Sequence, residues 1–125
     1  MRIKIDKADQ LFSQYIRLRD LECKRCHSRV VLNDKDYPIS HTASHFYGRG
    51  RENTRFEPDN VDTLCMGCHR IWGSDDREGY REFKLKQLGK RRFDSLMLQA
   101  NTYCKRDRKL QAIVWKEALQ GSKEV

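Results

Sequence analysis

The sequence predicts an α+β fold: a small metal-stapled core, entered through one helix and extended by several more. Three observations predict it. Two Cys-x-x-Cys pairs, Cys23–Cys26 and Cys65–Cys68, stand 38 residues apart. Between them lies a stretch rich in β-branched and aromatic side chains, a composition that favours strand. Outside the pairs, apolar residues recur at three- and four-residue spacing, the period of amphipathic helices. With 125 residues the chain suits one domain, and at 35% charged and 38% hydrophobic residues its core is thin, so extra stapling is expected.

Taken in order, residues 6–21 read as the first helix, with Ala8, Leu11, Phe12, Tyr15 and Ile16 on one face and Asp6 or Asp9 as cap. The first cysteine pair follows, then the apolar Val30-Val31-Leu32, broken by the turn signal Asn33-Asp34-Lys35-Asp36. Residues 37–47 are expected as a strand with Pro38 at its start or edge; alternation then sets His41, Ala43 and His45 on one face. Residues 48–59 are expected as a loop or loosely paired strand carrying Arg49, Arg51 and Arg55, and Asn60 to Leu64 as the lead into the second pair. A short helix should begin there and include His69-Arg70-Ile71-Trp72. Three helices follow: Tyr80 to Leu88, ended by Gly89; Phe93 to Ala100; and Leu110 to Leu119, closed by Gly121. Cys104 falls in a helical stretch as a buried or idle thiol, and the last few residues are expected to fray. The apolar faces of the C-terminal helices can either complete the core or supply a homodimer interface.

Lys and Arg outnumber Asp and Glu, 26 to 18, for a net charge of +8. A basic surplus on a small chain points to a polyanion, in the first place DNA. No apolar run approaches a membrane span and the N-terminus has no signal-peptide core, so a reducing, cytoplasmic setting without membrane contact is expected. There, paired cysteines indicate a metal and not disulfides. Cys23, Cys26, Cys65 and Cys68 can give Zn²⁺ its four thiolates in a tetrahedron. Such a site contributes roughly 10–16 kcal/mol of apparent binding free energy, which is folding free energy here. The domain then divides into an N-terminal helix (1–22), a zinc-stapled core (23–74) and a helical extension (75–125).

Histidine serves as general base near neutral pH or as metal ligand, and phosphodiester hydrolysis needs both roles. His27, His41, His45 and His69 all lie within or beside the stapled segment. Ala43-Ser44-His45-Phe46, then Asn60, then Cys65-Met66-Gly67-Cys68-His69 resembles the HNH, or ββα-metal, nuclease pattern in its zinc-stapled form. His45 stands 15 residues before Asn60 and 24 before His69. Within that family the sequence is most similar to the phage recombination nucleases of the NinG/Rap type, on Ser44-His45-Phe46, Thr54-Arg55-Phe56 and the second cysteine pair. The likeness covers about residues 23–100, with 79–96 matching only as a helical extension.

The resemblance implies a ββα-metal (HNH) core and a bacterial or phage-encoded endonuclease cutting branched or recombination-intermediate DNA. It makes His45 the general base, Asn60 the residue that orients base or loop, and His69 a ligand of a catalytic divalent ion, Mg²⁺ or Mn²⁺. Many HNH nucleases carry Asp or His directly before the base; here that position is Ser44, a poor ligand, so either His41 substitutes, or water fills the site, or metal affinity is weak, with Ser44 and His41 as the further candidate ligands. Arg49, Arg51 and Arg55, with Lys90, Arg91 and Arg92, are the candidate phosphate contacts, since arginine donates bidentately to phosphate. Two non-catalytic alternatives stand beside this one: a zinc-knuckle nucleic-acid-binding module, and a zinc-stabilised protein adaptor.

Overall fold

The structure, a computed structural model, describes residues 4–123. Helix α1 (Lys7–Asp20) starts where the sequence places it. Both candidate caps act: Asp6 accepts from the Asp9 N–H and Asp9 from the Asp6 N–H, each at 3.0 Å, a reciprocal box. The helix ends at Leu21, in the left-handed region at φ 59. Its apolar face, Ala8, Phe12 and Ile16, packs against Ala43, Phe56 and Val61. Its polar end grips the sheet. Arg19 donates to the Pro58 and Val61 carbonyls, Asp20 accepts from the Thr63 N–H, and the Thr63 hydroxyl donates to the Ile16 carbonyl.

The sheet has two short antiparallel strands, β1 (Thr42–His45) and β2 (Val61–Leu64), in the register Thr42↔Leu64 to His45↔Val61. Two expectations change here, and one left open between loop and strand is decided for the loop. The predicted eleven-residue strand contracts to four, because its first half folds back: Leu32 bridges Pro38, and Asn33 Oδ1 accepts from the Lys35 and Tyr37 N–H groups to close the turn. His41 sits at φ 66, outside strand geometry, so it does not share a face with Ala43 and His45. Residues 48–59 form no strand; they wind through 3₁₀ turns at Glu52–Thr54 and Pro58–Asn60, and the residues after them supply β2.

Helix α2 (Met66–Arg70) begins on the second cysteine pair and runs into a π-turn at Ile71–Asp75. Helix α3 (Arg77–Ala100) is two helices joined at Gly89, whose φ of 79 and ψ of 162 break the hydrogen-bond ladder where the sequence signals a stop. Phe46, Trp72, Tyr80, Phe93 and Leu96 form the second core cluster over the staple. Helix α4 (Arg108–Lys123) returns to α1, with Trp115 against Phe12 and Tyr15. It continues through Gly121, which therefore does not close it. Of its apolar residues Leu119 is buried, while Leu110, Ile113 and Val114 stay exposed. Cys104 lies in the connector before α4 and is exposed, neither helical nor buried. The terminal residues expected to fray lie mostly outside the described range.

Behind β2 a polar network crosses the core. Asp62 accepts from Lys84 Nζ and the Tyr80 hydroxyl, both at 3.1 Å, and from Gln87 at 3.0 Å. Asp62, Tyr80 and Lys84 are fully buried, so the pairing is obligatory: an unpartnered charge at such depth is strongly destabilising.

Candidate catalytic groove and metal staple

The staple assembles as the spacing predicts. The ligand atoms of Cys23, Cys26, Cys65 and Cys68 all lie within 4.8 Å of one another. Tetrahedral zinc with Zn–S bonds of about 2.3 Å sets sulfurs about 3.8 Å apart; Cys26 and Cys65 are separated by 3.7 Å. The donor set fits zinc. The thiols themselves are at odds, since hydrogen bonding from Ser28 lowers Cys26 to about 6 while burial pushes Cys68 up to about 12. A cation held among them relieves that conflict by favouring thiolate at every position. The Lys24 N–H donates to the Thr63 carbonyl, fastening the first knuckle to β2. Cys65 caps α2, and its carbonyl accepts from the His69 N–H at 2.8 Å. The staple therefore fixes the backbone that carries His69.

β1 ends at His45, and α2 presents His69 beside it. Both line an open groove of about 710 Å³, room enough for a phosphodiester and its flanking sugars, together with Ser44, Arg70 and Arg77. His45 is largely buried. Its Nε2 lies 2.9 Å from the Arg55 carbonyl, which can only accept, so Nε2 carries the proton and donates. Nδ1 is then a bare lone pair, buried and without a hydrogen-bond partner. Burial first, then the Arg49 charge, lower the His45 pKa to about 4, which keeps the ring neutral. Burial and Arg49 lower His69 as well. Ser44, 1% exposed, sits below His69 with its Oγ 3.1 Å from His69 Nδ1.

A family profile decides the kinship. The family described as Bacteriophage Lambda NinG protein matches residues 2–124, nearly the whole chain. The chain belongs to that NinG family. Neither the curated proteins nor the solved structures yield a match. In this NinG-family chain the remaining sequence-derived residues fall into distinct places. Asn60 is fully buried and clamps the loop: Oδ1 accepts from the Tyr47 N–H, and Nδ2 donates to the Tyr47 and Thr54 carbonyls. Every donor of its amide is engaged within the protein, so of its two expected tasks it performs the one toward the loop.

His41 is not brought to the groove; its ring contacts Ser28 and Ser40 on the staple side. Arg55 is buried in an ion pair with Asp9, Nε to Oδ1 at 2.8 Å, and is unavailable to DNA. Arg51 donates to the Ala100 carbonyl and to Asn101, which makes it a fastener of the loop. Arg49 does reach the site. It lines the same recess as His45 and His69, and its Nε is buried with no partner. Lys90 and Arg92 pair with Asp94 and Asp59 on the surface and do not line the groove, while Arg91 is exposed nearby. Arg70 and Arg77 join the groove unannounced by any motif. A second cavity, about 360 Å³ between α1 and α4, offers Lys7 and Lys116 but no histidine or carboxylate. No helix among the described residues is long and apolar enough to cross a membrane.

Proposed function

We propose that this NinG-family protein is a divalent-metal-dependent DNA endonuclease of the ββα-metal (HNH) type, hydrolysing phosphodiester bonds in branched or recombination-intermediate phage DNA. The observation that carries the proposal is the partnerless Nδ1 of His45, a groove-lining residue whose opposite nitrogen is engaged by the Arg55 carbonyl. A buried acceptor left without a partner is rare in folded proteins and calls for a functional reason. A general base supplies one.

In this reading His45 Nδ1 takes a proton from water as the water oxygen forms its bond to phosphorus. The bond from phosphorus to the leaving oxygen breaks, the electron pair departs with that oxygen, and a proton from solvent neutralises it. Arg49 donates to the phosphate oxygens, a role fitting a guanidinium with no carboxylate hydrogen-bonded to it among the described residues. The arriving phosphate also offsets the Arg49 charge that depresses His45, so the base strengthens as substrate binds. His69 Nε2 would hold the divalent cation, Mg²⁺ or Mn²⁺, which when bound stabilises negative charge on the phosphate and leaving oxygen. Arg70 and Arg77 extend the cationic floor along the backbone, contacts that position DNA without reading its sequence.

The test is nicking of plasmid and branched DNA with each ion. His45→Ala is expected to abolish cleavage while zinc content and far-UV circular dichroism stay as in the parent; cleavage at the parental rate would sink the assignment. One observation favours a second reading, a non-catalytic nucleic-acid binder: among the described residues the cysteine cluster is the only metal-ligating group of three or more, so His69 belongs to no such cluster. DNA binding without cleavage under both ions would select that reading.

A further inference from the structure

Ser44 occupies the position where many HNH nucleases carry an Asp or His ligand, yet its geometry describes a different task. We infer that Ser44 is a positioning residue that holds the His69 ring with Nε2 toward the groove and keeps a partner on Nδ1 in either tautomer. The inference rests on the proposed catalytic role of His69 and adds to it.

Four observations carry it. Ser44 Oγ lies 3.1 Å from His69 Nδ1, the one side-chain contact that Ser44 makes among the described residues. Ser44 is 1% exposed, so its hydroxyl has no bulk water to turn to. Its own backbone is held from behind: the Tyr80 hydroxyl lies 3.1 Å from the Ser44 carbonyl and equally 3.1 Å from Asp62, the residue paired with Ser44 across the sheet. Lys84 and Gln87 complete the buried network that holds Asp62. The other end of the contact is just as fixed, because His69 stands on the first turn of a helix whose N-cap is the staple residue Cys65. Two rigid supports thus meet at one hydrogen bond.

The chemistry of the hydroxyl explains the choice of serine. A hydroxyl both donates and accepts, whereas a carboxylate only accepts and alanine does neither. When Nε2 bears the ring proton, the Ser44 hydroxyl donates to the bare Nδ1. For Nε2 to present a lone pair to a cation, the proton must sit on Nδ1, and the same hydroxyl then rotates to accept it. The ring keeps its orientation through the exchange. Partners of this kind, one step behind a ligand, typically change metal affinity by about 10–100-fold when removed.

The test uses the full-length, zinc-loaded protein with ¹⁵N-labelled histidine. In the cation-free state the His69 ring nitrogens should report a hydrogen-bonded Nδ1 in whichever tautomer is present. Ser44→Ala should shift the Nδ1 resonance to that of an unbonded nitrogen, and Ser44→Thr should restore it. Mn²⁺ binding, followed by electron paramagnetic resonance without DNA, should weaken about 10-fold or more in Ser44→Ala and recover in Ser44→Thr. An Nδ1 resonance indifferent to Ser44→Ala, or a threonine variant no better than alanine, overturns the inference. If the nitrogen shifts behave as stated but the parent protein binds no Mn²⁺, positioning stands and the metal role proposed for His69 fails instead.

Discussion

His45 joins a backbone acceptor, a buried lone pair and a nearby cation in one ring, and its titration exposes that arrangement. Burial, helped by Arg49, takes its pKa from 6.5 to about 4. The folded protein therefore binds this proton less readily than the unfolded chain. Between those two values the unfolded state holds more protons, so stability is fully present above pH 6.5 and is lost as pH falls towards 4. At about 1.4 kcal/mol per pH unit the whole interval is worth on the order of 3 kcal/mol. His45→Gln removes the titration. The melting-temperature difference between parent and variant, measured with zinc in excess, should shrink in the parent's disfavour from pH 7 to pH 4.5. A constant difference would show that His45 titrates normally. Such a ring stays neutral and is a weak base at neutral pH.

At the scale of elements, the loop between β1 and β2 is held by contacts that its own sequence does not announce. Arg55 reaches from it to Asp9 on α1, and Arg108 from α4 pairs with Glu52 and Asp6. Burial alone would raise the Asp9 pKa, but hydrogen bonds from Arg55 and the Asp6 N–H hold it below the ordinary carboxylate value. Removing one partner of a buried pair strands the other. Arg55→Ala should therefore cost about 3–5 kcal/mol in denaturant unfolding. If Arg55 were a phosphate contact instead, the variant would keep its stability and lose DNA affinity. The Arg55 carbonyl also accepts from His45, so the loop that this ion pair secures is the loop that orients the His45 ring.

For the whole molecule the staple decides whether the groove exists. With a metal on the four thiolates, Cys23 and Cys26 would fasten the end of α1 to β2, and Cys65 and Cys68 would fasten β2 to α2. Both core clusters are small, and each leans on a strand or helix that this staple sets in place. Purified protein should carry about one equivalent of zinc. Chelation should abolish the cooperative thermal transition, as expected where metal binding is folding energy. An unchanged transition after complete zinc removal would mean that the apolar clusters suffice. The same experiment bears on function, since loss of the staple frees the backbone under His69 while leaving His45 chemically intact.

Much of this protein was legible one residue at a time. The cysteine spacing, the cap of α1 and the stop at Gly89 are local or pairwise signals, and their counterparts appear where the sequence places them; His45 and His69 line one groove, while Asn60 is buried in the loop. Even the buried network left a trace, because Lys84 lies four residues from both Tyr80 and Leu88 on an otherwise apolar stripe. What the sequence could not distribute was its arginines. Arg49, Arg51 and Arg55 share one short loop and one chemistry, yet one lines a recess beside His45 and His69, one fastens a helix end and one is buried against Asp9. The same holds for Ser44, whose hydroxyl acquires its partner only when α2 crosses β1. Charge and hydrogen-bonding capacity belong to the residue. Which group meets that capacity depends on elements distant in the chain, and only the tertiary structure brings them together.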